Sequence, residues 1–548
     1  MTEEDAFSVK IKRFALKHFE KQAEKLLPFL HWNRALERGG VRTYAVAYVS
    51  VMIFFLLQSL LIAALGVVLT VCLSLWFFPL VLAPLFVFLG YFAYPFVKAS
   101  ERGEKLTPEV PFTITYTSIM GAGGVSPYTS FKRLTQAELL PASREEAKRL
   151  VYQVEVMGED PLTAFKKAAE TTPSPSFTAF LRGYIDTTIT GGNVKHYLQV
   201  KMEEALRDRS AQLKIVAERL STLLEGYMAV SVMLGIVFYL MWATGGLLGS
   251  GGMGEQMFYL YVSVFTPLFA ALFVWLANAM QPKRPFADWS TYKVAAGSFG
   301  IAVAVFAMLF WFGLFDLTIQ FGIATLVFTL PAAIEYSKIS RENSGVEKGI
   351  TAFLRDYTEA RKTGLAPEKA ISELSRYNYG EFSKHLKRIN WLIETGVPTR
   401  EAINIFMRKT KSWLGKVYMY LLIETIDVGG ATISTSEALA SFASSTEAIE
   451  KEKKMTMKMA IGIPYVMVVM FLVVVEMLIS MLGGMALPFI SNMEWQNIVL
   501  TLAVMLNSVC AGFVTGKITE ETAAAGFKHI FVMILICLAV STIMGVFF

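Results

Sequence analysis

The chain has 548 residues, 54% of them hydrophobic and 18% charged, with a mean hydropathy of +0.47 and a formal net charge of +6. That balance excludes a soluble enzyme and describes a polytopic membrane protein with sizeable polar domains. Its 51 basic residues are diluted by 45 acids, which argues against a nucleic-acid partner.

Residues 1–43 form a polar N-terminal segment in which Phe7, Ile11, Phe14, Leu16 and Phe19 are interleaved with Lys10, Lys12, Arg13, Lys17 and Lys21. The pattern suggests either an amphipathic helix on the inner leaflet or a plain solvated helix. No cleavable signal is expected, since the first apolar run is far too long for an h-region. Residues 44–97 carry no charge and accommodate two membrane spans of about 20 residues each. A first polar domain covers 98–225, and 226–335 hold four further spans, near 227–248, 257–279, 294–312 and 317–334. A second polar domain covers 336–458, and spans near 459–482, 495–516 and 527–548 bring the count to about nine. With a cytoplasmic N terminus, all 51 basic residues fall inside. The expected topology is a multi-pass cell-membrane protein with both polar domains in the cytoplasm and the C terminus outside.

Both polar domains read as all-α. Pro161 and Pro367 suit a first helical turn, Ser143-x-x-Glu146 and Ser434-x-x-Glu437 read as capping boxes, and no stretch alternates as a strand would. Each domain is predicted as a bundle of about five or six helices, with the last helix, near 195–219 or 434–458, running straight into a span. The two domains are copies. Thr363-Gly364-Leu365-Ala366-Pro367, with Ala370 and Leu374 behind it, matches Gly123-Gly124-Val125-Ser126-Pro127 with Phe131 and Leu134. Thr395-Gly396-Val397-Pro398 before Ala402-Ile403 matches Met157-Gly158-Glu159-Asp160-Pro161 before Ala164-Phe165. Ile423-Glu424-Thr425 running to Gly429-Gly430 matches Ile185-Asp186-Thr187 running to Gly191-Gly192. The last two matches share one displacement of 238 residues, and a register held that long marks a duplication.

Catalytic signatures are missing from the sequence. There is no G-x-x-x-x-G-K-[ST], so the chain is not expected to hydrolyse ATP itself, and no H-E-x-x-H, C-x-x-C or G-x-S-x-G. Cys72, Cys510 and Cys537 lie far apart in apolar runs, and the five histidines are scattered, so neither metal nor cofactor is expected. Glu476 is the ionisable residue well inside a span, either a helix-packing hydrogen-bond partner or a functional switch, while Asp316 and Glu335 sit at span ends. Glu424 falls on the stripe of Val417, Tyr420 and Leu421 ahead of the Gly429-Gly430 break. Its counterpart Asp186 precedes Gly191-Gly192 and has Arg182 one turn earlier, a candidate ion pair. These acids and glycines either brace the turn within their own bundle or meet a partner. The second domain is the more basic, and Arg361, Lys362, Lys384, Lys387, Arg388, Lys409 and Lys411 are its candidates for an acidic partner surface. The juxtamembrane lysines at 451–458 suit anionic lipid. The small-residue face Gly512-x-x-x-Gly516 either receives another helix or packs internally.

Duplicated helical bundles, each with a Gly-Leu/Val-x-Pro turn and an acid-Thr run closing on Gly-Gly, resemble the type II secretion system F domain of inner-membrane platform proteins. One long chain with two such domains and about nine spans is similar to the archaeal form, above all to the platform of the archaellum. The first copy departs from the pattern in carrying Asp186 where the second has Glu424. The resemblance implies a non-catalytic platform whose bundles are moved by a separate hexameric ATPase. It would lift pilin-like or archaellin subunits from the bilayer into a filament, with rotation as an added role in an archaellum. A homodimer is the expected assembly. The alternatives are the platform of an adhesive pilus or secretion pseudopilus, or a secondary transporter, which would repeat its spans rather than its soluble domains.

Overall fold

The computed structural model describes residues 3–30, 32–40, 44–72, 77–245, 251–281, 289–313, 315–429, 432–484 and 493–547. Among these, every regular element is helical. Among the described residues nine helices are long and apolar enough to cross a membrane. The chain divides into two compact units, residues 1–205 and 206–548, with the boundary inside the helix Val194–Gly245.

The first unit opens with the helix Glu3–Leu30, which packs against the span helix Ala45–Cys72, with the Phe14 and Phe54 rings 5.8 Å apart. Its own bundle then takes six helices: Val110–Ala122, Pro127–Leu134, Pro141–Glu155, Pro161–Thr171, Pro175–Ile189 and the start of Val194–Gly245. Five of these begin with, or just before, a proline, which gives up no hydrogen bond in a first turn and pre-sets φ, and the sixth follows the Gly191-Gly192 turn. The core is aromatic: Phe131 meets Phe165 edge-on at 5.4 Å, and Phe165 meets Tyr184 at 5.0 Å.

The second unit repeats the plan with Leu317–Lys362, Pro367–Leu374, Phe382–Glu394, Thr399–Lys409, Trp413–Gly429 and Ile433–Gly484. Phe353, Phe382 and Phe406 run through its centre, tilted at 5.6 Å and edge-on at 5.7 Å. Matched positions do matched work: Ala164 and Ala402 are both fully buried, and Gly124 and Gly364, at φ +85° and +86°, close the same turn. Side chains other than glycine resist that left-handed conformation.

Two expectations are corrected. Neither Ser143-x-x-Glu146 nor Ser434-x-x-Glu437 is a capping box, because both serines lie inside their helices. The N–H groups of Ala142 and Ser143 are taken by the Glu109 carboxylate at 3.2 and 2.8 Å, and Glu146 pairs with Arg102 instead. At the other helix Thr432 is the cap, accepting from the Thr435 N–H at 3.3 Å, while Glu437 reaches Lys362. Burial pushes the Glu109 carboxyl above its usual range, against the pull of those two amide bonds.

The copies also differ at the membrane. In the second, one helix, Leu317–Lys362, is both span and bundle wall. In the first, the span helix Ala83–Leu106 stops and Val110–Ala122 starts anew after Thr107-Pro108-Glu109.

The face Gly512-x-x-x-Gly516 packs internally. A side chain at Gly512 would lie 2.5 Å from Ile530 Cγ1, and one at Gly516 would overlap the Gly526 backbone, so the helices Met493–Glu520 and Gly526–Phe547 touch main chain to main chain. Gly300, by contrast, faces open space. Gly516→Ala should therefore destabilise the detergent-solubilised protein by about 1–3 kcal/mol through overpacking, and Gly300→Ala should leave the thermal midpoint nearly unchanged.

Candidate functional site

The helices of the second bundle alternate in direction, which sorts its polar residues by height above the membrane. Leu317–Lys362 leaves the apolar zone near residue 334 and ends at Lys362. Thr399–Lys409 returns, so that Lys411 donates to the Ser290 hydroxyl at 3.1 Å, at the start of the span helix Ser290–Phe312. Trp413–Gly429 climbs again, and Ile433–Gly484 descends into the membrane.

The membrane-distal end is held by one cluster of charge. Arg400, in the first turn of its helix, places Nη2 2.7 Å from Glu424 Oε1 and also pairs with Asp427, one turn further along Trp413–Gly429. Glu424 is nearly buried, its side chain 5% exposed, whereas Arg400 and Asp427 open to solvent. Burial works against charge on Arg400, but its hydrogen bonds to the two acids outweigh that and hold the guanidinium more firmly protonated. The helix ends at Gly429; Gly430 lies outside the described residues. Glu424 is thus tied to its own bundle.

The first copy has no such clamp. At the displacement of 238, Leu162 stands where Arg400 would be and Ile189 where Asp427 would be, and Asp186 is exposed. No Arg182–Asp186 ion pair occurs among the described residues. The turn is shaped by backbone instead: Gly191 takes φ +70° and the Gly192 N–H donates to the Thr187 carbonyl at 2.8 Å. Its distal end exposes Tyr152, Val156, Met157 and Ile189 beside solvent-facing ion pairs, Glu159 with Lys167 and Glu155 with Lys132. The buried charge of this copy lies at the opposite end. Arg102 binds Glu146 through Nε at 2.6 Å, with both side chains largely buried, and also donates to the Arg38 carbonyl at 2.8 Å.

The seven basic candidates do not form one patch. Arg361 and Lys362 are at the distal end and turned inward, Arg361 onto the Leu365 carbonyl and Lys362 onto Glu359 and Glu437 at 3.0 and 3.2 Å. Lys384, Lys387, Arg388, Lys409 and Lys411 gather near the membrane, where the helix ends meet and the His385 and Phe406 rings are 5.1 Å apart. Helical rise puts Lys362 about 22 Å beyond the level of Glu347, which accepts from Ser412 at 2.7 Å beside Lys411. Lys387, Arg388 and Lys409 have no ion pair among the described residues. The half-buried His385 is held below its ordinary value of 6.5, first by burial; Lys384 and Arg388 add to this, while Glu342 and Glu381 oppose it.

Where the second bundle meets its spans, polar groups form a belt. Lys453 pairs with Glu521 and Glu450, and Arg209 lies 3.7 Å from Glu450. Glu520 takes Lys528 and the Tyr336 hydroxyl, the latter at 2.8 Å. Gln281 donates to the Lys517 carbonyl at 2.7 Å, satisfying a helix end, and Lys517 reaches Asn278 at 2.9 Å. Sequence reasoning missed a second polar site inside the spans. Ser231 donates to Asn507 at 3.0 Å and the Tyr261 hydroxyl to the Ser231 carbonyl at 3.2 Å, beside the π-helical turn Tyr261–Phe265 that precedes Pro267. The available signal was Asn507, a lone amide in an apolar run. Glu476 lies on Ile433–Gly484, with its side chain outside the described residues. Among the described residues no group of three His, Cys, Asp or Glu is placed to hold a metal.

Fold and geometry together define a multi-pass helical membrane protein built on a duplicated extramembrane bundle. The family model of the type II secretion system protein F matches residues 113–242 and again 353–480. The chain thus carries two F domains of that type. It is similar to an uncharacterized protein of Methanocaldococcus jannaschii, 23% identical over 494 residues that span 81% of this chain and 80% of the relative. No solved structure matches the chain.

Two outcomes are expected here. Arg400→Ala removes the main clamp on a buried acid and should cost about 1–3 kcal/mol in chemical denaturation, with Leu162→Ala reporting only lost packing in the other copy. His385, with its depressed folded value, contributes stability that is present above about pH 6.5 and lost as pH falls through the folded value. Acidification from about pH 7.5 to about 5.5 should lower the thermal midpoint of the protein, and His385→Asn should flatten that dependence.

Proposed function

We propose that the chain is the membrane platform of a type IV pilus-like machine, most specifically an archaellum, coupling a cytoplasmic hexameric ATPase to the lifting of pilin-like or archaellin subunits into a filament. The observation that carries the reading is the pair of F-domain bundles whose terminal helices are also membrane spans. A force applied to a bundle has an unbroken helix by which to reach the bilayer. The strict segregation of basic residues supports a cytoplasmic N terminus and cytoplasmic bundles, with a short external side. The platform does no chemistry of its own and works as a homodimer. The adhesive pilus and the secretion pseudopilus use the same coupling and differ in the subunit lifted.

The unpaired Lys387, Arg388 and Lys409 are the basic groups with charge to spare for an acidic ATPase surface, since Lys362 is neutralised within its bundle. The test is co-purification of the full chain in nanodiscs with the cell's secretion ATPases, with and without ATP. Charge reversal at Lys387, Arg388 and Lys409 should reduce nucleotide-sensitive binding at least tenfold, the scale of one lost charge-assisted contact; reversal at Arg361 and Lys362 should act mainly on stability. Loss of filaments on deletion of the protein is expected in cells. Absence of any ATPase binding by the folded chain, or substrate flux in proteoliposomes, would overturn the platform reading.

A further inference from the structure

The belt at the membrane border contains a cavity of about 360 Å³ that is lined by cations and hydroxyls and by no carboxylate. Tyr336, Ser340, Arg341 and Ser344 come from Leu317–Lys362, Lys454 from Ile433–Gly484, and Lys528 from Gly526–Phe547. We infer that this cavity binds the phosphate of an anionic membrane lipid.

Three observations support the assignment. The first is charge without a partner: neither Arg341 nor Lys454 has an ion pair among the described residues. The acids nearby are committed elsewhere, Glu520 to Lys528 and Tyr336, and Glu521 to Lys453. Glu520 offsets Lys528, which leaves the cavity with two uncompensated positive charges. The second is donor geometry. Ser337, Ser340 and Ser344 recur at helical spacing on one face, and none of their hydroxyls makes a hydrogen bond among the described residues. A tetrahedral oxyanion would accept from these hydroxyls while Arg341 and the two lysines balance its charge. Lys528 is further oriented by its position over the Tyr336 ring, 5.8 Å from the centroid.

The third observation is depth, and it selects the source of the phosphate. Tyr336 follows the apolar part of its helix by about half a turn, Lys454 precedes the apolar part of its own by about a turn, and Lys528 opens the last span. All three helices therefore cross the headgroup layer at this cavity, where a lipid phosphate is held at high local concentration by its own acyl chains. A bound headgroup would bridge the first and last helices of the second bundle to the final span.

The experiment uses the full chain in detergent, titrated with phosphatidylglycerol and followed by native mass spectrometry and thermal shift. Phosphatidylglycerol should be retained and should raise the unfolding temperature, and phosphatidylcholine should do so far less. Arg341→Ala with Lys454→Ala should weaken retention about 30-fold, the loss of two lipid-facing charges. The conservative pair Arg341→Lys with Lys454→Arg should retain it, which separates loss of the site from loss of the fold. Lys214→Ala with Arg219→Ala, on Val194–Gly245 ahead of its span and outside the lining, should bind as the wild type does. Equal loss in this control pair would reduce the effect to general juxtamembrane charge and overturn the site. Protection by millimolar inorganic phosphate equal to that by lipid would overturn the lipid assignment in favour of a free anion.

Discussion

A backbone amide inside a bilayer has no water to bond to, so a span outside a closed barrel crosses as a helix, and nothing requires that helix to end at the surface. Much of this molecule follows from that constraint. Leu317–Lys362 and Ile433–Gly484 carry their hydrogen-bond ladders from the apolar zone into the bundle, making bundle and spans one construction. Pro331 withholds the amide that would bond the Val327 carbonyl, and one residue on the neighbouring helix adds a bond, Ser298 donating to the Phe328 carbonyl at 2.8 Å. Because the two walls are fixed by the membrane, the shorter helices between them need only turn, and the glycines at φ > 0 make the turns.

On this shared frame the copies have diverged in where they place charge. The second secures its distal end with Arg400, Glu424 and Asp427; the first has only solvent-facing pairs there and buries Arg102 and Glu146 near the membrane. A buried pair adds little net stability over a well-packed apolar pair, but it penalises any arrangement that separates it. Each copy is thereby held to one packing at a different height.

The spans, the duplication and the order of helices were legible in the sequence because their signals are linear: charge-free windows, and motifs repeated at one displacement. The polar contacts were not, because they join residues that only the antiparallel packing brings together. Ser143 looked like a cap until Glu109, from the break ahead of Val110–Ala122, took its amide. Glu424 stood out as an acid on an apolar stripe, yet nothing local pointed to Arg400, which comes from the preceding helix. The seven basic residues looked like one surface because short runs lie close in sequence, and alternating helix direction sends them to opposite ends. Gly512 and Gly516 announced close approach without naming the partner, which is the next helix in the chain.

The break at Thr107-Pro108-Glu109 has a mechanical meaning. A continuous helix resists bending along its whole length and acts as a lever arm, while a three-residue interruption gathers compliance at one point and acts as a pivot. The second bundle is therefore joined to its first span as a lever and the first bundle as a hinge. The same push, delivered to both, would be stored as elastic strain in one and released as rotation in the other.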